Sequence, residues 1–192
     1  ANLAFDANQM NIALLWHGSF IDAGKHWNGR GQGFQPPLGD NVLSFQQAPA
    51  LALLESNDSK WPTGDIKQQG YRFLGYQLGD NRKPTFLYQL NKMRVFDFPN
   101  PEEDGGEFPA LTRTITVSSD AEEHNLFIRA VVAANSLVVN NDGTITVDGQ
   151  WTLTVTGNVG KPVIRGKELI VPVDLSNKDK RHVALIKIHY QW

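Results

Sequence analysis

The chain has no cysteine among its 192 residues. That absence excludes disulfides, thiolate metal sites, a cysteine nucleophile and covalent attachment of a c-type haem. It leaves the compartment open, because a chain without thiols is indifferent to redox poise. Long apolar runs are also missing. None approaches the roughly 20 residues that a spanning helix needs, and the opening ANLAFDANQM has no charged segment followed by an apolar one. Membrane insertion is therefore not expected, any export signal having been removed or lying elsewhere. There is no basic excess either: 18 Lys and Arg face 20 Asp and Glu for a net charge of −2. The cations are dispersed, with no run longer than two, so the basic surplus that drives nucleic-acid binding is absent and nucleic acid is not an expected partner.

Helical periodicity is equally scarce, and alternation takes its place from Tyr71 onward. In LTRTITVS (111–118) Thr112, Thr114 and Thr116 fall on one side of an extended chain, and Leu111, Ile115 and Val117 on the other. Arg113 interrupts that apolar side. The pattern predicts a half-buried strand. The same reading applies to 71–78, 85–90, 94–98, 125–133, 151–157, 168–175 and 182–192, all rich in β-branched and aromatic residues. Asn-Asp-Gly between LVV and TITV predicts a tight hairpin over 137–147 with positive-φ positions in its turn. GDNRKP (79–84) is a further turn, and the acidic PNPEEDGGEFP (99–109) is an exposed loop. Pro172 predicts an edge or a bulge, since proline cannot donate to a ladder. Residues 1–70 are less regular: a hairpin or strand pair broken at Gly18, then short strands at 42–45 and 50–54, with a short helix within 47–55 as the alternative. No linker or repeat divides the chain. The expectation is one all-β domain, an antiparallel β-sandwich with little or no helix.

The stretch WHGSFIDAGKHWNGRGQGF (16–34) carries the chemical interest, with two tryptophans, two histidines and five glycines. Three chemistries compete for it. His17, Asp22 and His26 have the side chains of a zinc or iron site if they converge; Gly18 and Gly24 speak against the helix that would align them, and local hydrogen bonding is the alternative. GRGQG (29–33) resembles a phosphate loop in composition, but FQPPLGD follows where such a loop needs a helix N-terminus. The glycines then shape an irregular corner in which Arg30 pairs with a carboxylate, Asp22 being the nearest candidate. Trp16, Trp27, Phe34 and Trp61, with Asp22 and Arg30 nearby, suit carbohydrate: indoles stack on sugar rings while planar polar groups bond the hydroxyls. Core packing is the competing role of any one indole. Trp16, following IALL, is expected inside; Trp27 and Trp61, flanked by polar residues and glycine or proline, are expected outside.

Hydrolytic constellations are not recognisable. There is no Gly-x-Ser-x-Gly elbow, and paired carboxylates among Asp22, Asp40, Asp65, Asp80 and Asp97 depend on separations that sequence does not give. Glu102, Glu103, Asp104 and Glu107 read as a solvated loop whose spacing matches no calcium loop. No catalytic residue, cofactor or metal is assigned.

AFD, W-x-G-x-F-I-D (16–22), W-x-G-R-G (27–31) and G-Y-x-L with P-T-F-x-Y (75–78, 84–88) form a distinctive set. Together with the surrounding 2–133, and more loosely 182–192, this set resembles a β-domain of large secreted multidomain bacterial proteins. Those proteins also carry a c-type cytochrome module and often a sugar-dehydrogenase-like β-propeller. The resemblance implies an accessory module in a secreted or periplasmic redox protein, without turnover of its own, with cytochrome or dehydrogenase domains of the same polypeptide as partners. The functional expectation is a module binding carbohydrate or a related ligand through Trp27, Trp61, Arg30, Asp22, Phe34 and Trp16. The alternative is a structural docking domain serving electron transfer.

Overall fold

The structure, a computed structural model, describes residues 1–28, 33–102, 110–178 and 181–192. In chain order the described elements are β1 (Asn2–Asp6), β2 (Asn11–His17), α1 (Gly24–Trp27), β3 (Asp40–Ser44), β4 (Leu51–Leu53), a 3-10 turn (Ile66–Gln69), β5 (Tyr71–Leu78), β6 (Pro84–Leu90), β7 (Met93–Pro101) and β8 (Ala110–Ser119). They continue as β9 (Leu126–Val132), β10 (Leu137–Val139), β11 (Ile145–Val147), β12 (Trp151–Gly157), β13 (Val163–Arg165), β14 (Glu168–Pro172), β15 (Ser176–Lys178) and β16 (Arg181–Gln191). Every pairing between these strands is antiparallel. The alternating sequence pattern thus yields the expected all-β architecture.

The largest sheet runs β10-β11-β12-β16-β8-β7-β6-β5, with β15 beside β16; two smaller sheets are β1-β2-β3 and β13-β14-β9-β4. One core joins all three. It includes Ile12 and Leu15 of β2, Leu51 and Ile128 of the four-stranded sheet, and Ile115, Val117, Ile186 and Ile188 of the large sheet. Phe5 stacks on Phe86 at 3.9 Å, and Phe45 meets Tyr190 edge-on at 5.5 Å. Period-2 alternation sends Leu111, Ile115 and Val117 of β8 inward and leaves the threonines half-buried on the other face. On that outer face Thr116 lies between Phe96 and Leu185.

Arg113, out of place in an apolar face by sequence, turns out to organise the core. Its guanidinium meets Asp97 through Nε (2.9 and 3.1 Å) and Nη2 (2.6 Å), and its Nη1 donates to Asn11 Oδ1 at 2.9 Å. The Tyr88 hydroxyl donates to Asp97 at 3.2 Å, and the Asn11 amide donates to Ala48 O at 3.0 Å. Asp97 and Arg113 are 0% and 2% exposed. Burial would strip the charge from Arg113, but the Asp97 carboxylate outweighs it and raises the guanidinium pKa. Burial, reinforced by Asp97, holds the Tyr88 phenol well above its ordinary range.

Local chemistry departs from expectation in three places. At Gly24–Trp27 a single helical turn forms despite its glycine, started by Asp22 Oδ1 accepting from Gly24 N at 3.1 Å and closed by Asn28 N donating to Gly24 O at 3.0 Å. In the hairpin 137–147 only Gly143 has positive φ (84°), because Asn140 and Thr144 pair across a three-residue loop rather than a two-residue one. Pro172 is not on an edge strand: β14 lies between β13 and β9, its bulge falls at Leu169/Ile170, and Pro172 ends the strand. Residues 47–55 contain a strand and no helix.

Candidate functional site

The aromatic stretch forms an excursion between β2 and β3. Gly18 (φ 77°) takes the chain out of β2, and the return is closed by His17 opposite Asp40, a bridge between Ile21 and Pro37, and Leu38 N donating to Phe20 O at 3.1 Å. Trp16 anchors the base: it is buried, its indole N–H donates to Ser19 O at 3.0 Å, and Phe20 stacks on it at 5.6 Å. It is an anchor and not a ligand contact. Beyond the base the apolar side chains are uncovered, Trp27 at 85%, Phe34 at 82%, Phe20 at 55% and Leu38 at 53%. Asp22 is half-buried and occupied with Gly24 N. Arg30 lies outside the described residues, and with it the expected pairing to Asp22.

His17 and His26 part company. His17 packs on Trp192 at 4.4 Å with its Nε2 shielded and without a partner among the described residues, whereas His26 is exposed. Among the described residues no three His, Asp or Glu side chains form a metal-sized group. Burial lowers the His17 pKa below the ordinary imidazole value. A depressed folded pKa means that the neutral form's contribution is present above the unfolded value and is lost as pH falls through the folded one. Acidification below the imidazole range should therefore loosen the loop base. A pH titration of tryptophan emission should show this step, and His17→Asn should flatten it.

Trp61 corrects the sequence reading. It is 6% exposed, packed with Ala48, Ala52, Leu54, Phe127 and Ile170 on the side of the four-stranded sheet away from the main core. Its indole N–H donates to Pro49 O at 2.8 Å. The flanking lysine and proline were poor guides, because β9 (LFIRAVV) is buried on both faces and needs a cover for Phe127. Beside this indole opens a cleft lined by Trp61, Lys60, Asp58, Arg129, Arg165 and Glu168, among others. Glu168 sits between two guanidiniums, accepting from Arg129 Nη1 and from Arg165 Nε, both at 2.8 Å. Arg129 lies over the Trp61 ring at 4.9 Å. Sequence reasoning passed over Arg129, Arg165 and Glu168, although a lone arginine inside NLFIRAVVA was a usable signal. A cation in a strand buried on both sides must have a partner.

A second polar cluster lies on the outer face of the large sheet. Glu102 Oε1 accepts from Thr112 Oγ1 at 2.5 Å and lies 2.9 Å from His189 Nδ1, which is 3.2 Å from the same hydroxyl. The Thr112 hydrogen bond, more than the nearby His189, lowers the Glu102 pKa. This is not a nucleophile relay. A relay needs the carboxylate on one ring nitrogen and the hydroxyl on the other, and here both meet Nδ1.

With this geometry in place, the family comparison falls on one half of the molecule. Residues 3–97 match the family model described as Domain of unknown function (DUF6797). No curated protein and no solved structure matches the chain. The DUF6797 segment contains the whole aromatic excursion, Trp61 and Asp97, and ends inside β7; Arg113, Arg129, Arg165 and Glu168 lie beyond it. The excursion therefore belongs to the matched part, while the cleft at Trp61 is completed by residues outside it.

Proposed function

We propose that this chain is a non-catalytic binding module that takes a carbohydrate or related ligand on the excursion between β2 and β3, as an accessory part of a secreted or periplasmic redox protein. The observation that carries the reading is the exposure of Trp27 and Phe34 on a loop whose base is pinned by buried Trp16. Leaving one large apolar side chain in water forgoes about 1.5–3 kcal/mol of burial. Two such rings seven residues apart have a use that the fold itself does not supply. An indole offers a flat face to a sugar ring, and the sequence sets Asp22 and Arg30 near Trp27 as candidate polar groups for hydroxyls. No cofactor is needed.

A docking role is the second reading, favoured by the exposure of Phe20 and Leu38 at the base of the same excursion. Such a surface suits a protein neighbour, here the cytochrome or dehydrogenase modules that the sequence resemblance implies. Affinity electrophoresis through gels containing soluble polysaccharides tests the first reading. Retardation by at least one polysaccharide is expected, with at least tenfold weaker binding in Trp27→Ala at unchanged stability. Failure to be retarded by any polysaccharide, combined with sugar-insensitive co-elution with a cytochrome module, would transfer the excursion to the docking role.

A further inference from the structure

We propose that the cleft beside Trp61 binds a carboxylate-bearing small ligand through Arg129 and Arg165, a uronic acid sugar being the member of that class that fits this chain; the choice of a sugar rests on the binding function proposed above. The site is built by a hairpin. Gly166 (φ 60°) begins the two-residue turn between β13 and β14, which sets Arg165 directly opposite Glu168. Arg129 reaches the same carboxylate from β9, and Arg165 Nη1 also donates to Asn57 O at 2.7 Å and to Ser59 O, fixing the rim of the cleft.

The charges in this arrangement do not balance. Both Glu168 oxygens are taken, one by each arginine, so two cations share one anion. Among the described residues, neither guanidinium's shielded Nη2 has a hydrogen-bond partner. The Arg129 side chain is only 5% exposed and lines the cleft beside Trp61. An arginine cannot relieve the imbalance by losing its proton, even though burial pulls the Arg129 pKa downward. An added acceptor can. Glu168 already shows which acceptor geometry these two guanidiniums take, a planar carboxylate giving one oxygen to each, and a second carboxylate from the cleft would engage the N–H groups left over. To meet it, Arg165, 17% exposed, would exchange its contacts with Asn57 O and Ser59 O for the incoming carboxylate. The cleft volume of about 540 Å³ suits a ligand of one or two rings. Asp58 and Lys60 on the rim offer groups for ring hydroxyls.

The test uses the whole chain and trigalacturonate, with neutral trigalactose, sodium sulfate and hexaglutamate as comparison probes. The indole N–H resonance of Trp61, assigned with Trp61→Phe, reports on the cleft. Trigalacturonate is expected to shift that resonance and to bind at least tenfold tighter than trigalactose or sulfate. Arg165→Met should weaken it at least tenfold, Arg165→Lys should not restore it, and Trp27→Ala should leave it unchanged. Arg165 carries the test because its partial exposure makes the folded variant obtainable; thermal unfolding verifies this, and Arg165→Gln serves if the methionine variant unfolds. An unmoved Trp61 resonance, or equal competition by sulfate, would overturn the carboxylate site. Tighter binding of hexaglutamate would overturn the sugar assignment. Loss of polysaccharide retardation in Trp27→Ala, with the Trp61 response intact, separates the two proposals, since each then stands or falls on its own probe.

Discussion

Asp97→Asn is expected to lower the free energy of unfolding by about 3–5 kcal/mol, the cost typical of orphaning one member of a buried ion pair. The amide keeps the shape of the carboxylate and removes its charge. Arg113 would then remain in a site that is 2% exposed, still held by Asn11 at 2.9 Å but without a counter-charge, and Tyr88 would lose its anionic acceptor. Against a total stability of about 5–15 kcal/mol for an ordinary domain, this leaves the fold marginal. The pair itself need not add net stability, because desolvating two ions offsets most of their attraction. Hence the double substitution Asp97→Leu with Arg113→Met should recover most of what the single one loses. Urea unfolding midpoints of the wild type, Asp97→Leu, Arg113→Met and the double variant form the required cycle, with Asp97→Asn measured beside them. A single-variant cost below 1 kcal/mol would mean that the buried charge has found another partner.

Gly39→Ala should cost about 3 kcal/mol or more, at the upper end of overpacking penalties. A Cβ built on Gly39 lies 1.5 Å from His17 O and 2.9 Å from the Trp16 ring. The first obstacle is backbone already paired with β3, so a side-chain rotation cannot make room. The base of the aromatic excursion must open, and Trp16 emission should shift to the red as its cover is lost. Gly24→Ala is the contrast: its Cβ would meet only the flexible Asp22 carboxylate at 3.1 Å, and an alanine in the helical turn should be neutral or stabilising by up to about 1 kcal/mol. Denaturation monitored at both tryptophan emission and far-UV circular dichroism distinguishes local opening from global loss.

The strands were legible wherever one face is buried and the other is wet, as in β8 with its alternating threonines. Arg113 looked like a flaw in that pattern because its counter-charge, Asp97, lies in the next strand over, and alternation reports which face a residue takes but not whom it meets there. Trp61 was misjudged for a related reason. Its neighbours in sequence are polar, whereas its neighbours in space are Phe127 and Ile170 on strands far along the chain. The short helix escaped notice because one turn is too brief for a 3.6-residue period, and what starts it is the Asp22 carboxylate. The pair of arginines around Glu168 was half visible: Arg165 and Glu168 flank a Gly-Lys turn, but only the sheet order β13-β14-β9 brings Arg129 to them.

Strand β16 joins β12 on one side and β8 on the other, so the ribosome delivers the middle of the largest sheet after both of its neighbours. Until then β8 and β12 are open edges rich in valine, isoleucine and threonine, the type of surface that recruits strands from other chains. Nascent polypeptide should accordingly depend on holdase protection until Arg181–Gln191 has emerged, and mutations that slow the insertion of this strand should reduce yield well before they alter the finished molecule.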